Sequence, residues 1–270
     1  MRRAVRWRLF GCCLLLGLVA GCTHMWLAER EPWRREAEVS CLKSGAVKEG
    51  PSVTLIKSIE GPGACGADYP LRVAALGEPA LALASFADES EPPAAPRGRP
   101  SSAAVTARST AVSPVATLAC PLVSVLDRFV SDSVQPAAAR WFGQPVVGIR
   151  QISAYSCRGM NGDSNAQISE HAFGNALDIA AFTLADGRTI TVKDGWQGGP
   201  QEQGFLHDIQ EAACTLFTTV LAPGSDAHHA DHIHVDLMRR SSGHVICQPA
   251  AIPGEAAAFA RAGGRYAGVR

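Results

Sequence analysis

Two spacings of apolar residues alternate along the second half of the chain. Leu122, Val123, Leu126, Phe129 and Val130 recur at helical spacing behind Pro121. Pro136 ends or kinks that helix, and residues 137–142 form a further helical turn. Phe205, Leu206, Ile209, Ala212, Ala213, Leu216, Phe217 and Val220 line one face of a second helix, stopped by Pro223-Gly224. Between and after these helices the period drops to two. Residues 146–153 read as a strand, and so do residues 175–184. Ala185-Asp186-Gly187 turns the chain back into an antiparallel return over residues 188–192, followed by a Gly-rich loop over 194–204. A last alternating run begins at His232 and ends at Leu237. The pattern predicts an α+β fold in which a small antiparallel sheet carries helices packed on one side.

The first half is less regular. Arg2, Arg3, Arg6 and Arg8 precede an apolar run from Leu9 to Ala20, a positive segment followed by a hydrophobic one. Leu18-Val19-Ala20-Gly21-Cys22 is similar to a bacterial lipobox, with Cys22 as the residue lipidated after cleavage. The apolar character continues through Met25, Trp26 and Leu27, so an uncleaved membrane anchor competes with the lipoprotein reading, and ordinary cleavage is a third route. All three export the rest of the chain. Residues 29–38 read as a charged tether. Val53-Thr54-Leu55-Ile56 reads as a short strand and Gly61-Pro62-Gly63 as a turn, in a small piece that Cys41 and Cys65 bracket and could close as a loop. Residues 84–110 are rich in Ala, Pro, Ser and Glu and keep no hydrophobic period. The expected organisation is a leader or anchor over 1–28, a tether and small subdomain over 29–76 and a low-complexity linker over 77–114. The main domain then covers 115–250 and a loosely held tail 251–270.

Lys and Arg number 25, as do Asp and Glu, so nothing in the charge calls for a nucleic-acid partner. A hydrophobic fraction of 47% supports a real core, although the leader and the many alanines raise it. Of the nine cysteines, Cys12, Cys13 and Cys22 fall in the leader. Cys41, Cys65, Cys120, Cys157, Cys214 and Cys247 remain, without the CxxC spacing of a thiolate metal site. An even number of scattered cysteines behind an export segment predicts disulfides, with reduced core cysteines as the alternative and no pairing selected.

The candidate chemistry lies in Ser169-Glu170-His171-Ala172-Phe173-Gly174-Asn175-Ala176-Leu177-Asp178 and in Asp231-His232-Ile233-His234. Strand alternation sets Asp178 on one face while Leu177 and Ile179 take the other, so a carboxylate emerges from an otherwise apolar strand. An unpaired carboxylate is costly there, and a metal ion would resolve the cost. Gly174 permits the turn between His171 and Asp178. His232 and His234 share one face of their run, and either could reach a metal. Two imidazoles and one carboxylate suit zinc and leave a fourth position for water. Asp236 shares the His234 face and either orients a ligating imidazole or forms a buried salt bridge. Glu170 reads as solvated, and His228 and His229 as loop residues.

Ser169-x-His171-x-x-Gly174-x-Ala176-x-Asp178 followed by His232-x-His234 resembles the zinc signature of the lysostaphin, D-Ala-D-Ala peptidase and hedgehog superfamily. More closely, residues from about 120 to 248 resemble the bacterial extensin-like C-terminal family. The resemblance implies that Zn2+ is held by His171, Asp178 and His234, the second histidine of the pair. It implies that Asp231 is a general base and that His232 stabilises developing charge. Tyr155-Ser156-Cys157-Arg158 occupies the place of a Ser-Gly-Tyr-Arg-Ser segment, and Arg158 matches its substrate-facing arginine although Ser156-Cys157 intervenes. The implied function is a cell-envelope zinc peptidase of D,D- or L,D-carboxypeptidase or endopeptidase type. It would act on peptidoglycan peptides from the periplasmic side, tethered to the membrane through an N-terminal lipid or anchor helix. The alternative is a zinc-stabilised binding module that does not hydrolyse, since hedgehog domains keep the scaffold without evident peptidase work.

Overall fold

A computed structural model describes residues 29–77 and 109–261. The leader, most of the low-complexity stretch and the last nine residues lie outside the described residues, and with them the lipobox and anchor readings.

Residues expected as a tether form helix α1 (Pro32–Ser44), with Pro32 at its start and Gly45 closing it in the left-handed conformation. Four strands follow: β1 (Val53–Leu55), β2 (Ile59–Glu60), β3 (Gly66–Ala67) and β4 (Pro70–Leu76). β5 (Thr110–Ala119) begins five residues before the expected restart of the ordered chain at Val115. Helix α2 (Cys120–Phe129) runs through a widened π turn, Val130–Val134, into α3 (Gln135–Phe142). Pro136 therefore sits in the first turn of a new helix, where its missing N–H is harmless. β6 (Val146–Ser153), β7 (Ala176–Leu184) and β8 (Thr189–Thr191) match the expected strands closely. The Gly-rich loop is shorter than expected, because α4 (Val192–Gly195) and the start of α5 (Pro200–Leu216) occupy much of it. Val220, expected on the α5 face, lies instead in β9 (Thr219–Leu221). β10 (Ile233–Asp236), β11 (Ile246–Gln248) and helix α6 (Gly254–Arg261) complete the described chain. The start of the supposedly loose tail is thus helical and packs on α5.

The sheet is larger than expected and mixed rather than antiparallel. Its order is β1-β4-β5-β6-β7-β10-β9-β11, with β8 paired to β7. β5 runs parallel to β6 and β11 parallel to β9, while the other pairs are antiparallel. One face is buried by α2, α3 and α5. Phe205 of α5 meets Phe182 of β7 and Phe142 of α3 edge to face, and Phe129 meets Phe217 likewise. Phe129, Phe182, Phe205 and Phe217 are buried, each contributing about 1.5–3 kcal/mol from burial alone, and Phe142 is half-buried. Gly204 of α5 has no alternative, because any Cβ there would collide with the Trp141 ring.

Alternation along the central strands decides where chemistry can sit. Leu177, Ile179, Ile233 and Val235 belong to the core under the helices. Their neighbours Asp178, His234 and Asp236 therefore point to the opposite face. The β6–β7 register slips between Arg150↔Ala181 and Gln151↔Ile179, leaving Ala180 as an extra residue. Beyond that bulge Phe182 and Leu184 enter the core, so the parity seen before Ala180 does not continue.

Candidate metal centre

His171 lies on a short 3-10 turn, Glu170–Phe173, just before β7. Ser169 caps the turn by accepting the His171 backbone N–H, and Gly174 ends it at φ 64°. A Cβ at Gly174 would press on the backbone of Leu118 and Ala119, and the Gly174 carbonyl accepts the Ala119 N–H at 2.8 Å. Only glycine meets both demands without strain. The turn is braced from outside. Arg34 of α1 donates two hydrogen bonds to Glu170, at 2.8 and 2.9 Å, and its guanidinium lies 3.6 Å from the Phe173 ring centroid. Asn175 donates a further hydrogen bond to Glu170. Glu170 is therefore buried and paired, not solvated as expected from the sequence. Burial works to lower the pKa of Arg34, but its bonds and charge interaction with Glu170 win and raise it.

Across the strands His171, Asp178 and His234 converge. His171 Nε2 is 3.2 Å from Asp178 Oδ1 and 3.3 Å from His234 Nδ1, and His234 Nδ1 is 2.8 Å from Asp178 Oδ1. All three side chains are buried. The Ala154 carbonyl, which can only accept, lies 2.7 Å from His171 Nδ1, so that nitrogen carries the proton and a neutral His171 turns a lone pair inward. On the outer side of His234, Nε2 donates to Asp236 Oδ2 at 3.1 Å. With both imidazoles neutral, three lone pairs meet in a buried place, an arrangement that a cation would stabilise. The donors of a tetrahedral site with bonds of about 2.0–2.1 Å lie about 3.3 Å apart; two of the three separations match, at 3.2 and 3.3 Å, and the third, between His234 and Asp178, is shorter at 2.8 Å. Among the described residues these three form the group able to hold a metal ion. Without one, protons must take its place. Burial lowers the His234 pKa, but the bonds to Asp178 and Asp236 outweigh it and lift it to about 9. Burial likewise raises Asp178, but the bonds from His171 and His234 hold it far below the usual carboxylate range.

The other expected site residues take different positions. His232 Nε2 approaches Asp178 Oδ1 at 3.6 Å but lies outside the three-atom group. Its Nδ1 is 2.9 Å from Asp231 Oδ1. The Asp231 side chain is 54% exposed, does not line the cleft above the site, and makes its contact with the site's residues at His232. Arg158 lines the cleft, 3.8 Å from Asp178 Oδ2 and 3.4 Å from Ser153 Oγ. Its carbonyl accepts the Ser169 N–H, and Cys157 beside it is bonded to Cys65. The cleft has a volume of about 930 Å³.

His229, expected in a loop, is buried at the cleft wall with its ring centroid 5.1 Å from that of His232 and 5.7 Å from that of His234. Asp226 Oδ1 accepts its backbone N–H and faces its Nδ1 at 2.7 Å. Burial pushes its pKa down against the pull of Asp226. The available sequence signal was Asp226-x-x-His229, the spacing of an aspartate that caps a turn and also orients the histidine.

The sequence model of the family described as "Extensin-like protein C-terminus" matches residues 82–248. This chain belongs to that family. The match starts well before residue 120, where the resemblance was expected to begin, and takes in β5 to β11 with all the residues of the metal group. Arg34 and β4 precede it, so the brace on the His171 turn comes from outside the extensin-like match. No curated protein and no solved structure matches significantly.

Proposed function

We propose that this extensin-like chain is a zinc-dependent peptidase of the bacterial cell envelope that hydrolyses an amide in peptidoglycan stem or cross-link peptides. It would act as a D,D- or L,D-type carboxypeptidase or endopeptidase. The observation that carries the reading is the convergence of two imidazole nitrogens and one carboxylate oxygen on a cleft that also holds His232 and Arg158. The resemblance to the lysostaphin, D-Ala-D-Ala peptidase and hedgehog signature supports the same reading.

His171, Asp178 and His234 would hold the ion. A bound zinc supplies Lewis acidity and an acidified water at neutral pH. Asp236 keeps the His234 ring oriented from behind. His232, its Nδ1–H donated to Asp231, turns Nε2 toward the site and can accept a proton there and return it to the leaving amine. Asp231, half-exposed and hydrogen-bonded to His232, would then serve as a positioning residue. Arg158 offers N–H donors to the substrate carbonyl or carboxylate. Export fits the three disulfides of the described residues, with a lipid or anchor helix at the N-terminus as the membrane tether. No described helix is long and apolar enough to cross a membrane.

The test is incubation of the zinc-loaded full-length chain with purified muropeptides, read by mass spectrometry with and without chelator. Chelator-sensitive release of a new amine is the expected result. Binding of zinc and peptidoglycan without cleavage of any muropeptide would replace the peptidase with a non-hydrolytic binding module.

A further inference from the structure

The cleft continues past the metal group to a second arginine. Arg158 stands beside β6 and β7, against Ser153 and Asp178. Arg240 stands beyond β10, against β9. Its Nη1 donates to the Thr218 carbonyl at 3.0 Å and its Nη2 to Thr219 Oγ1 at 2.8 Å. Both arginines line the same cleft. In the strand order β6-β7-β10-β9 the three candidate ligands, on and beside β7 and β10, fall between them.

Arg240 differs from the other guanidiniums of this region. Arg34 is neutralised by Glu170, and Arg158 leans on Asp178. No carboxylate lies within ion-pair distance of Arg240 among the described residues, and its two recorded hydrogen bonds go to neutral oxygens. A guanidinium has five N–H donors in a rigid fork, so two bonds fix its plane and leave donors over for a ligand. Ser241, Ser242 and Gln248 line the same end of the cleft and add neutral polar groups. Among the described residues this end has a fixed positive charge with no carboxylate paired to it, although Asp226 and Asp236 also line the cleft.

We propose that Arg240 forms a second anion subsite, binding a substrate carboxylate on the side of the scissile amide opposite to Arg158. The two β-strand spacings from β7 to β9 amount to about 10 Å, and an extended peptide covers about 3.3 Å per residue. The preferred substrate is then an acidic peptide whose carboxylates sit about three residues apart and straddle the metal. This inference rests on the amide-hydrolase reading for the scissile bond, but the charge recognition can be tested apart from hydrolysis.

The probes are a synthetic peptidoglycan stem peptide with all its carboxyls free and a series in which one carboxyl at a time is a primary amide. Binding to the zinc-loaded full-length chain is measured by calorimetry, and hydrolysis of the same mixtures by mass spectrometry. One amide in the series should weaken binding to the wild type by about 10–100-fold, the scale of a charge-assisted bidentate contact. Arg240→Gln should weaken the free acid by a similar factor and no longer respond to that amide, while still responding to the amide that Arg158 senses. Arg240→Lys should recover part of the loss. A uniform loss across the series in Arg240→Gln would make Arg240 structural and overturn the subsite. No binding of any member by the wild type would also overturn it. Hydrolysis without this charge dependence leaves the peptidase reading standing and removes the subsite. Charge-dependent binding without hydrolysis does the reverse.

Discussion

His234 is gripped by two carboxylates, and this decides how protons and metal compete for it. In the metal-free chain its pKa rises to about 9 from 6.5, while that of Asp178 falls below 3.8. A raised histidine stabilises the fold below its unfolded pKa and loses that contribution as pH climbs through the folded one. The melting temperature of the metal-free protein should therefore fall between pH 6.5 and about 9, a trend that calorimetry at fixed ionic strength can follow. Metal must displace the His234 proton, so zinc binding should release about one proton and tighten roughly tenfold per pH unit over that window. Titration in buffers of different ionisation enthalpy measures the release, and a flat profile would remove His234 from the ligand set. His171→Ala, Asp178→Ala and His234→Ala should each lose most of the metal on elemental analysis, whereas His232→Ala should retain it. The proton-handling step separates Asp231 from His232. With His232 as the acid–base group, His232→Ala should lower hydrolysis by roughly 10²–10⁴-fold. Asp231→Asn, which removes the partner that fixes the ring, should cost less. Kinetics showing the larger loss at Asp231 would return the base to the carboxylate.

At the scale of elements, the His171 turn is held by parts distant in sequence. Arg34 and Glu170 form a buried, bidentate pair; without Glu170 the guanidinium keeps only the half-exposed Glu31 as partner, and without Arg34 the Glu170 carboxylate keeps only Asn175. Glu170→Gln or Arg34→Met should each cost about 3–5 kcal/mol in denaturant unfolding, while the double change Arg34→Met with Glu170→Leu should cost less than either. A double variant as unstable as the sum of the singles would mean the two residues act independently. The Arg34 variant should also weaken metal binding, since the turn that carries His171 loses its support.

For the whole molecule, three disulfides among the described residues tie segments distant in sequence together. Cys41–Cys120 ties α1 to the start of α2 across 79 residues. Cys65–Cys157 ties the β3 region to the segment bearing Arg158 across 92, and Cys214–Cys247 ties α5 to β11 across 33. The bracket expected between Cys41 and Cys65 does not form. Intact-mass analysis of envelope-derived protein with and without reductant should differ by three disulfides. Replacing both cysteines of Cys65–Cys157 should cost about 2–5 kcal/mol and loosen the Arg158 segment. Recovery of six free thiols from the envelope would withdraw the cysteine argument for export.

Local periodicity determined a good deal by itself. The period-two runs around Asp178 and His234 set those side chains opposite an apolar face, because strand geometry alternates whatever the strand packs against. The helical spacing behind Pro121 and before Pro223 marked α2 and α5 in the same way. β5, β9 and β11 were not legible, since short strands are decided by the neighbours they pair with. β5 also emerges from a composition that looks unstructured. Local spacing left either histidine of the pair open, and the tertiary structure brings His234, the one that the family resemblance implies, beside Asp178 in the candidate metal group. It also set Asp231 against His232, carried His229 into the cleft and left Arg240 with no carboxylate within ion-pair distance among the described residues. It buried Glu170 against an arginine from a segment that reads as a tether. These outcomes depend on contacts between residues far apart in the chain, and no local spacing encodes which partner will arrive.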